Sequence, residues 1–173
     1  MTLSETARLL WRKYLVLVAV IMVCVAIELV LELSDFGAFG ESSRLRRLIY
    51  EYAGFWPGLL GNWEPNYVGQ PTAMFLTYGF LHGGFFHLLV NMITLWTTGR
   101  LVIDRVGQRR FVLLYSAAII GGGLGFALLS SGVTPMVGAS GAIFGIIGGL
   151  LSWSYVDLFA MKERLWAVAL SVL

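Results

Sequence analysis

Apolar residues run along this chain in long unbroken stretches, not in the alternating or every-third-and-fourth patterns of half-buried strands and surface helices. Residues 14–33 form the first run, about twenty residues, which is the length a helix needs to cross a hydrocarbon core of roughly 30 Å. Further runs lie within 75–102, from 111 to 129 and from 139 to 156, and a last one opens at 165. The pattern predicts an all-α membrane protein: a polytopic helical bundle with four full transmembrane helices plus the start of a fifth, in one domain over 1–173. Between the first two runs, 34–72 is a long connection holding Arg44, Arg46, Arg47, Glu51, Trp56, Trp63 and the prolines Pro57, Pro65 and Pro71. A loop of that length rarely lacks structure of its own, so interfacial helices are expected there, with the tryptophans at headgroup depth.

Composition agrees with a bilayer setting. Hydrophobic residues make up 58% and charged residues 13%, and the mean hydropathy is +0.79, a balance foreign to a water-soluble domain. The formal charge of +2 is small and the 12 Lys and Arg lie in short clusters, so no basic face for nucleic acid is expected. Cys24 is the single cysteine and has no intrachain partner. The first run is too long for a cleaved signal peptide and reads as an anchor. Arg8, Arg12, Lys13, Arg100, Arg105, Arg109, Arg110, Lys162 and Arg164 fall on one side if the spans alternate, against the three arginines of 34–72. That asymmetry predicts a cytoplasmic N-terminus and an outward loop, and fits a multi-pass protein of a bacterial inner membrane. Glu28 and Glu32 are expected to reach the interface from the last turns of the first span. Asp104 is expected to pair with Arg105 beside it, an ion pair worth little.

Candidate chemistry sits in "VGASGAIFGIIGG", residues 137–149. A fourth helix over 139–155 would be about 25 Å long at a rise of 1.5 Å per residue, short of the core thickness, so Ser140 is expected below the outer surface. Irregular backbone at that depth must be buried in protein or line a watery cavity. A helix N-terminus there offers unpaired N–H groups and a positive dipole end to a developing oxyanion. The second span supplies partners in "HGGFFHLLVN", residues 82–91. His87 and Asn91 are four apart and share a helical face, while His82 belongs at the outer end. Polar side chains within a membrane segment are functional candidates by default. Each feature alone also fits packing: small residues as helix contacts, His and Asn as interhelical hydrogen-bond glue, Gly121, Gly122, Gly123 and Gly125 as a close crossing, and Phe144, Trp96 and Trp153 as lipid-facing or core aromatics.

Together, "HGGFFHLLVN" and, some fifty residues later, "GASG" resemble the rhomboid family of intramembrane serine proteases, whose pattern is H-x4-H-x3-N in the second transmembrane helix and G-x-S-G at the start of the fourth. The resemblance implies that Ser140, between Gly138 and Gly141, is the nucleophile. It also implies that His87, Asn91 and the Ser140 N–H hold the oxyanion, that His82 is the outer histidine, and that Phe144 stands where the family has an aromatic against the catalytic imidazole. It implies no cofactor and no metal, and a substrate that is the transmembrane helix of another membrane protein. Two departures stand out. Ala73-Met74 replaces the Trp-Arg pair of many rhomboids, and no histidine follows His87, whereas the family's general base is a histidine of the sixth helix. The expectation is an N-terminal portion cut before that helix and inactive by itself, since losing the base leaves only the residual rate from oxyanion hole and binding. The alternative is a non-hydrolytic rhomboid-like protein that binds and sorts transmembrane helices. Nothing in the sequence selects an oligomeric state.

Overall fold

A computed structural model describes the backbone of residues 3–39, 44–130 and 133–171, and side chains from 12 to 162 within those ranges. It is helical: α1 (Leu3–Asp35), α2 (Arg44–Ala53), a 3-10 turn at Pro57–Leu60, α3 (Gln70–Thr77), a second turn at Tyr78–Phe80, α4 (Phe85–Leu129) and α5 (Ser140–Ser171). Three stretches are long and apolar enough to cross a membrane: Arg12–Asp35, Phe85–Leu129 and Ser140–Lys162. Large apolar side chains such as Leu29, Ile93, Leu113 and Leu151 point outward from them, which suits an apolar solvent.

The expected second and third runs belong to one hydrogen-bonded element of 45 residues, α4, broken at Gly107 (φ 82°, ψ 166°). That backbone region is essentially open to glycine alone. The two arms fold back on each other there. A Cβ on Gly99 would meet Leu17 of α1 at 2.8 Å and the Phe111 ring at 3.3 Å, a contact a straight helix could not make.

Polar contacts tie the bend to the start of α1. Gln108 donates Nε2 to the Arg12 carbonyl and accepts the Val16 N–H, and Asp104 accepts from the Tyr14 hydroxyl at 2.6 Å and Lys13 at 2.7 Å. Asp104 therefore does not pair with its neighbour Arg105, as the sequence suggested; Arg105 reaches across to Asp157 of α5 at 2.8 and 2.9 Å. Adjacent residues on a helix point away from each other, so the acid and base find partners on other helices.

Two other expectations change. The fourth helix does not stop near 156: α5 continues to Ser171, because neither glycine nor proline follows Gly149 and Lys162, Glu163 and Arg164 are good helix formers. The run from 165 is backbone of that same helix up to Ser171; its side chains lie outside the described residues. Glu28, moreover, does not project to the surface of the bundle as expected. It is 1% exposed and bonds Arg46 of α2 at 2.8 Å.

The connection 34–72 does hold helical elements, α2 and the Pro57–Leu60 turn. It is pinned by Phe55, which is fully buried with Phe75, Tyr78 and Phe126 edge-on at 4.8, 5.7 and 6.0 Å. Gly123 leaves that ring its room, since a Cβ there would lie 2.9 Å from both Phe55 and Phe75. Phe55 and Met136 exchange two backbone hydrogen bonds of 3.0 Å, joining the connection to the segment before Ser140.

Candidate active site

The segment from Tyr78 to Phe85 carries one half of the site. Tyr78 is buried and donates its hydroxyl to the Ile119 carbonyl at 2.7 Å, while its own carbonyl accepts the Gly138 N–H at 2.9 Å. The chain then turns through Leu81, His82 and Gly83 to Gly84, whose φ of 102° precedes the first residue of α4. His87 thus stands in the first turn of α4, where its Nδ1 accepts the Gly83 N–H at 3.1 Å. That bond fixes the ring and turns Nε2 toward Gly138.

The other half is the start of α5. A Cβ on Gly138 would lie 2.9 Å from His87 Cε1 and Nε2 and 3.7 Å from Ser140 Oγ, so imidazole and hydroxyl flank one backbone atom. Only glycine fits, because φ at Gly138 is 120° as well. Ser140 is the first residue of α5, and Ile143 N–H is the first to bond back, to Ala139 at 3.0 Å. The N–H groups of Ser140, Gly141 and Ala142 therefore have no acceptor within the helix. Gly141 lets α5 meet α4: its Cβ would lie 2.6 Å from the Tyr78 hydroxyl and 3.2 Å from Gly122 Cα. Of the glycines expected at this crossing, Gly122 alone meets α5; Gly123 packs against Phe55 and Phe75, while Gly121 and Gly125 face open space.

His82 packs edge-on against His87, with ring centroids 5.3 Å apart and planes at 67°. It is fully buried, and neither ring nitrogen has a partner among the described residues. Asn91, also buried, donates Nδ2 to the His87 carbonyl at 2.8 Å; it shares the face of His87, and its second amide hydrogen is left over. Phe144, one turn after Ser140 on α5, is 74% exposed. No hydrogen bond holds Ser140 Oγ among the described residues, and no three His, Cys, Asp or Glu side chains among them could hold a metal.

The short fourth helix on which the expected depth of Ser140 rested is not observed, since α5 runs to Ser171; contacts with α1 place the site along the bundle. Cys24 of α1 touches the Gly79 carbonyl at 4.0 Å, and Cys24 sits roughly 16 Å along the helix from Asp35. Gly79, and with it the Tyr78 to Gly138 contact, therefore lies well short of the Asp35 end of α1, within the span of the bundle. His82 is held near the level of Glu28: Arg46 Nη1 and the Tyr50 hydroxyl both donate to its carbonyl. Burial raises the Tyr50 pKa above its ordinary value, so the phenol stays a donor. Glu32 accepts the Phe85 N–H at 3.0 Å, capping α4, and Asp35 takes the remaining face of Arg46. Sequence reasoning missed Tyr78, Arg46 and Tyr50. The only signal was three carboxylates, Glu28, Glu32 and Asp35, spaced along one face of an otherwise apolar helix, which called for a buried cation.

Residues 70–173 match the family model for the Rhomboid domain. The chain is 38% identical over 99 residues to RHOMBOID-like protein 4 of Arabidopsis thaliana, covering 57% of this chain and 25% of that one. It is 40% identical over 93 residues to Rhomboid protease GluP of Bacillus subtilis, 54% of this chain and 17% of that one. It is also 36% identical over 77 residues to Inactive RHOMBOID-like protein 8 of Arabidopsis thaliana, 44% and 22% respectively. The matched stretch thus spans a quarter or less of these relatives' own length. A domain match over more than half the chain, on a bundle of bilayer-length apolar helices, makes this an integral membrane protein that belongs to the rhomboid family.

Proposed function

We propose that the chain is the nucleophile-bearing part of an intramembrane serine endopeptidase that cuts transmembrane segments of other membrane proteins. The observation that carries this reading is the convergence at Gly138: an oriented imidazole on one side, Ser140 Oγ on the other, and three N–H groups without an acceptor in the helix behind. In this reading Ser140 Oγ attacks the scissile carbonyl. His87 Nε2, the Asn91 amide and the Ser140 N–H receive the oxyanion, each lost donor costing roughly a hundred- to a thousandfold in rate. His82 backs the His87 ring, and Gly138 and Gly141 keep the approach narrow. Phe144, one turn beyond Ser140 on the same face, is assigned to contact with a further helix or the substrate.

The reading requires a base besides these groups, because His87 cannot donate to the oxyanion and take the serine proton at once. We assign that role to a histidine outside residues 1–173. We further read the bend at Gly107 as dividing α4 into two antiparallel spans. Arg12, Asp104, Gln108 and Asp157 then share the cytoplasmic end and 34–72 faces outward, in a bacterial inner membrane. Fluorophosphonate labelling of the full-length protein tests the site: modification of Ser140, suppressed in His87→Ala, is expected, and labelling that ignores Ser140→Ala would end the proposal.

A second reading, a non-hydrolytic binder of transmembrane helices, is favoured by similarity to a relative named as inactive. It predicts that a transmembrane peptide is retained but not cut, and retained equally by Ser140→Ala.

A further inference from the structure

The outer connection builds a second pocket, separate from Ser140. Trp56 and Trp63 lie with ring centroids 5.8 Å apart and planes at 44°, an open wedge instead of a stack. With Glu51, Leu59, Glu64 and Asn66 they wall a cavity of about 150 Å3, room for about five waters. Its walls are fixed from outside. Trp56 donates Nε1 to the Tyr50 carbonyl at 2.7 Å. Trp63 donates its backbone N–H to the Gly58 carbonyl at 3.1 Å, and its indole lies so close over Gly58 that a Cβ there would come within 2.3 Å. Fully buried Gln70 braces the far wall: Nε2 donates to the Glu51 carbonyl at 2.6 Å and Oε1 accepts the Asn66 N–H at 2.7 Å.

Two fixed indoles, two carboxylates and no lysine or arginine make a lining that attracts a compact cation through ring quadrupole and charge together. The rim says which cation. Leu60, Tyr67 and Val68, which follow the lining residues Leu59 and Asn66 in the chain, are exposed, and Tyr67 stacks on Tyr52 at 6.2 Å, an aromatic and apolar surface suited to the headgroup layer. Ammonium groups are abundant there, so even a weak site fills by mass action. We propose that the Trp56–Trp63 wedge binds the ammonium headgroup of a zwitterionic membrane lipid. The proposal rests on 34–72 lying at the membrane surface and is independent of hydrolysis.

The test is tryptophan emission of the chain in uncharged maltoside micelles, titrated with choline chloride against sodium chloride of equal ionic strength. A saturable change with choline alone is expected, weakened at least about tenfold in Trp63→Ala and about threefold in Glu64→Gln. Glu64 is exposed, so that variant reports binding even if Trp63→Ala fails to fold. In nanodiscs, the Trp63-dependent change is expected with phosphatidylcholine and not with phosphatidylglycerol. A response that does not saturate, or that Glu64→Gln and a folded Trp63→Ala both leave intact, overturns the proposal. So does a lysine-rich peptide that occupies the wedge more tightly than choline, which would make a polypeptide its occupant.

Discussion

The two ends of the bundle both use arginine–carboxylate pairs between elements, and the pairs differ in kind. At the Asp35 end of α1, Arg46, 18% exposed, enters among Glu28, Glu32 and Asp35, with Glu28 only 1% exposed, and also donates to the His82 carbonyl. At the opposite end Arg105 and Asp157 are 43% and 57% exposed, and Lys13 and Asp104 are 50% and 44% exposed. The Arg46 cluster is buried and locates the segment between Gly79 and His87. The pairs at the other end are exposed ties at a bend that Gly107 already dictates. Counting ion pairs would rank the ends as equals, whereas burial and the backbone that each pair touches separate them.

The largest stability effect should come from Arg46→Ala, which strands Glu28 as an uncompensated buried acid; a loss of roughly 3–5 kcal/mol in denaturant unfolding is expected. If Glu28→Gln added to Arg46→Ala restores much of that loss, stranded charge is the cause. Next comes Gly141→Ala, where the new methyl meets the Tyr78 hydroxyl and Gly122. Overpacking should cost about 1–3 kcal/mol, while Gly121→Ala, with nothing within 4 Å, should leave the melting temperature unchanged or raise it. Tyr50→Phe removes one of two donors to the His82 carbonyl and should cost about 1 kcal/mol. Smallest of all, Arg105→Ala should leave the melting temperature within the scatter of ordinary surface changes, and high salt should erase what difference there is. A large loss from Arg105→Ala, or none from Arg46→Ala, would collapse the distinction between the ends.

The sequence made legible what lies on a single helix. His87 and Asn91 share a face because they are four apart, and Ser140 opens a helix because the polar segment before it gives way to an apolar run. Bilayer-length runs likewise announced helices, and the glycine cluster announced a crossing. Contacts between elements far apart in the chain were not legible. The Arg46 to Glu28 pair depends on how α2 folds back over α1, and Tyr78 owes its place to a turn between two short helices. The reach of α5 to Ser171 was misread because a hydropathy dip at Lys162, Glu163 and Arg164 looks like a loop, although backbone propensity there continues a helix. The apolar runs leave 103–110 between the second and third spans, while the backbone break needs only Gly107.

The central claim is that Ser140 is a nucleophile served by His87 and Asn91, and cleavage of a transmembrane substrate by the full-length protein in proteoliposomes tests it most directly. Ser140→Ala should abolish cleavage, and His87→Ala should slow it by roughly a hundred- to a thousandfold with little change in substrate retention. Continued cleavage by Ser140→Ala would contradict the account.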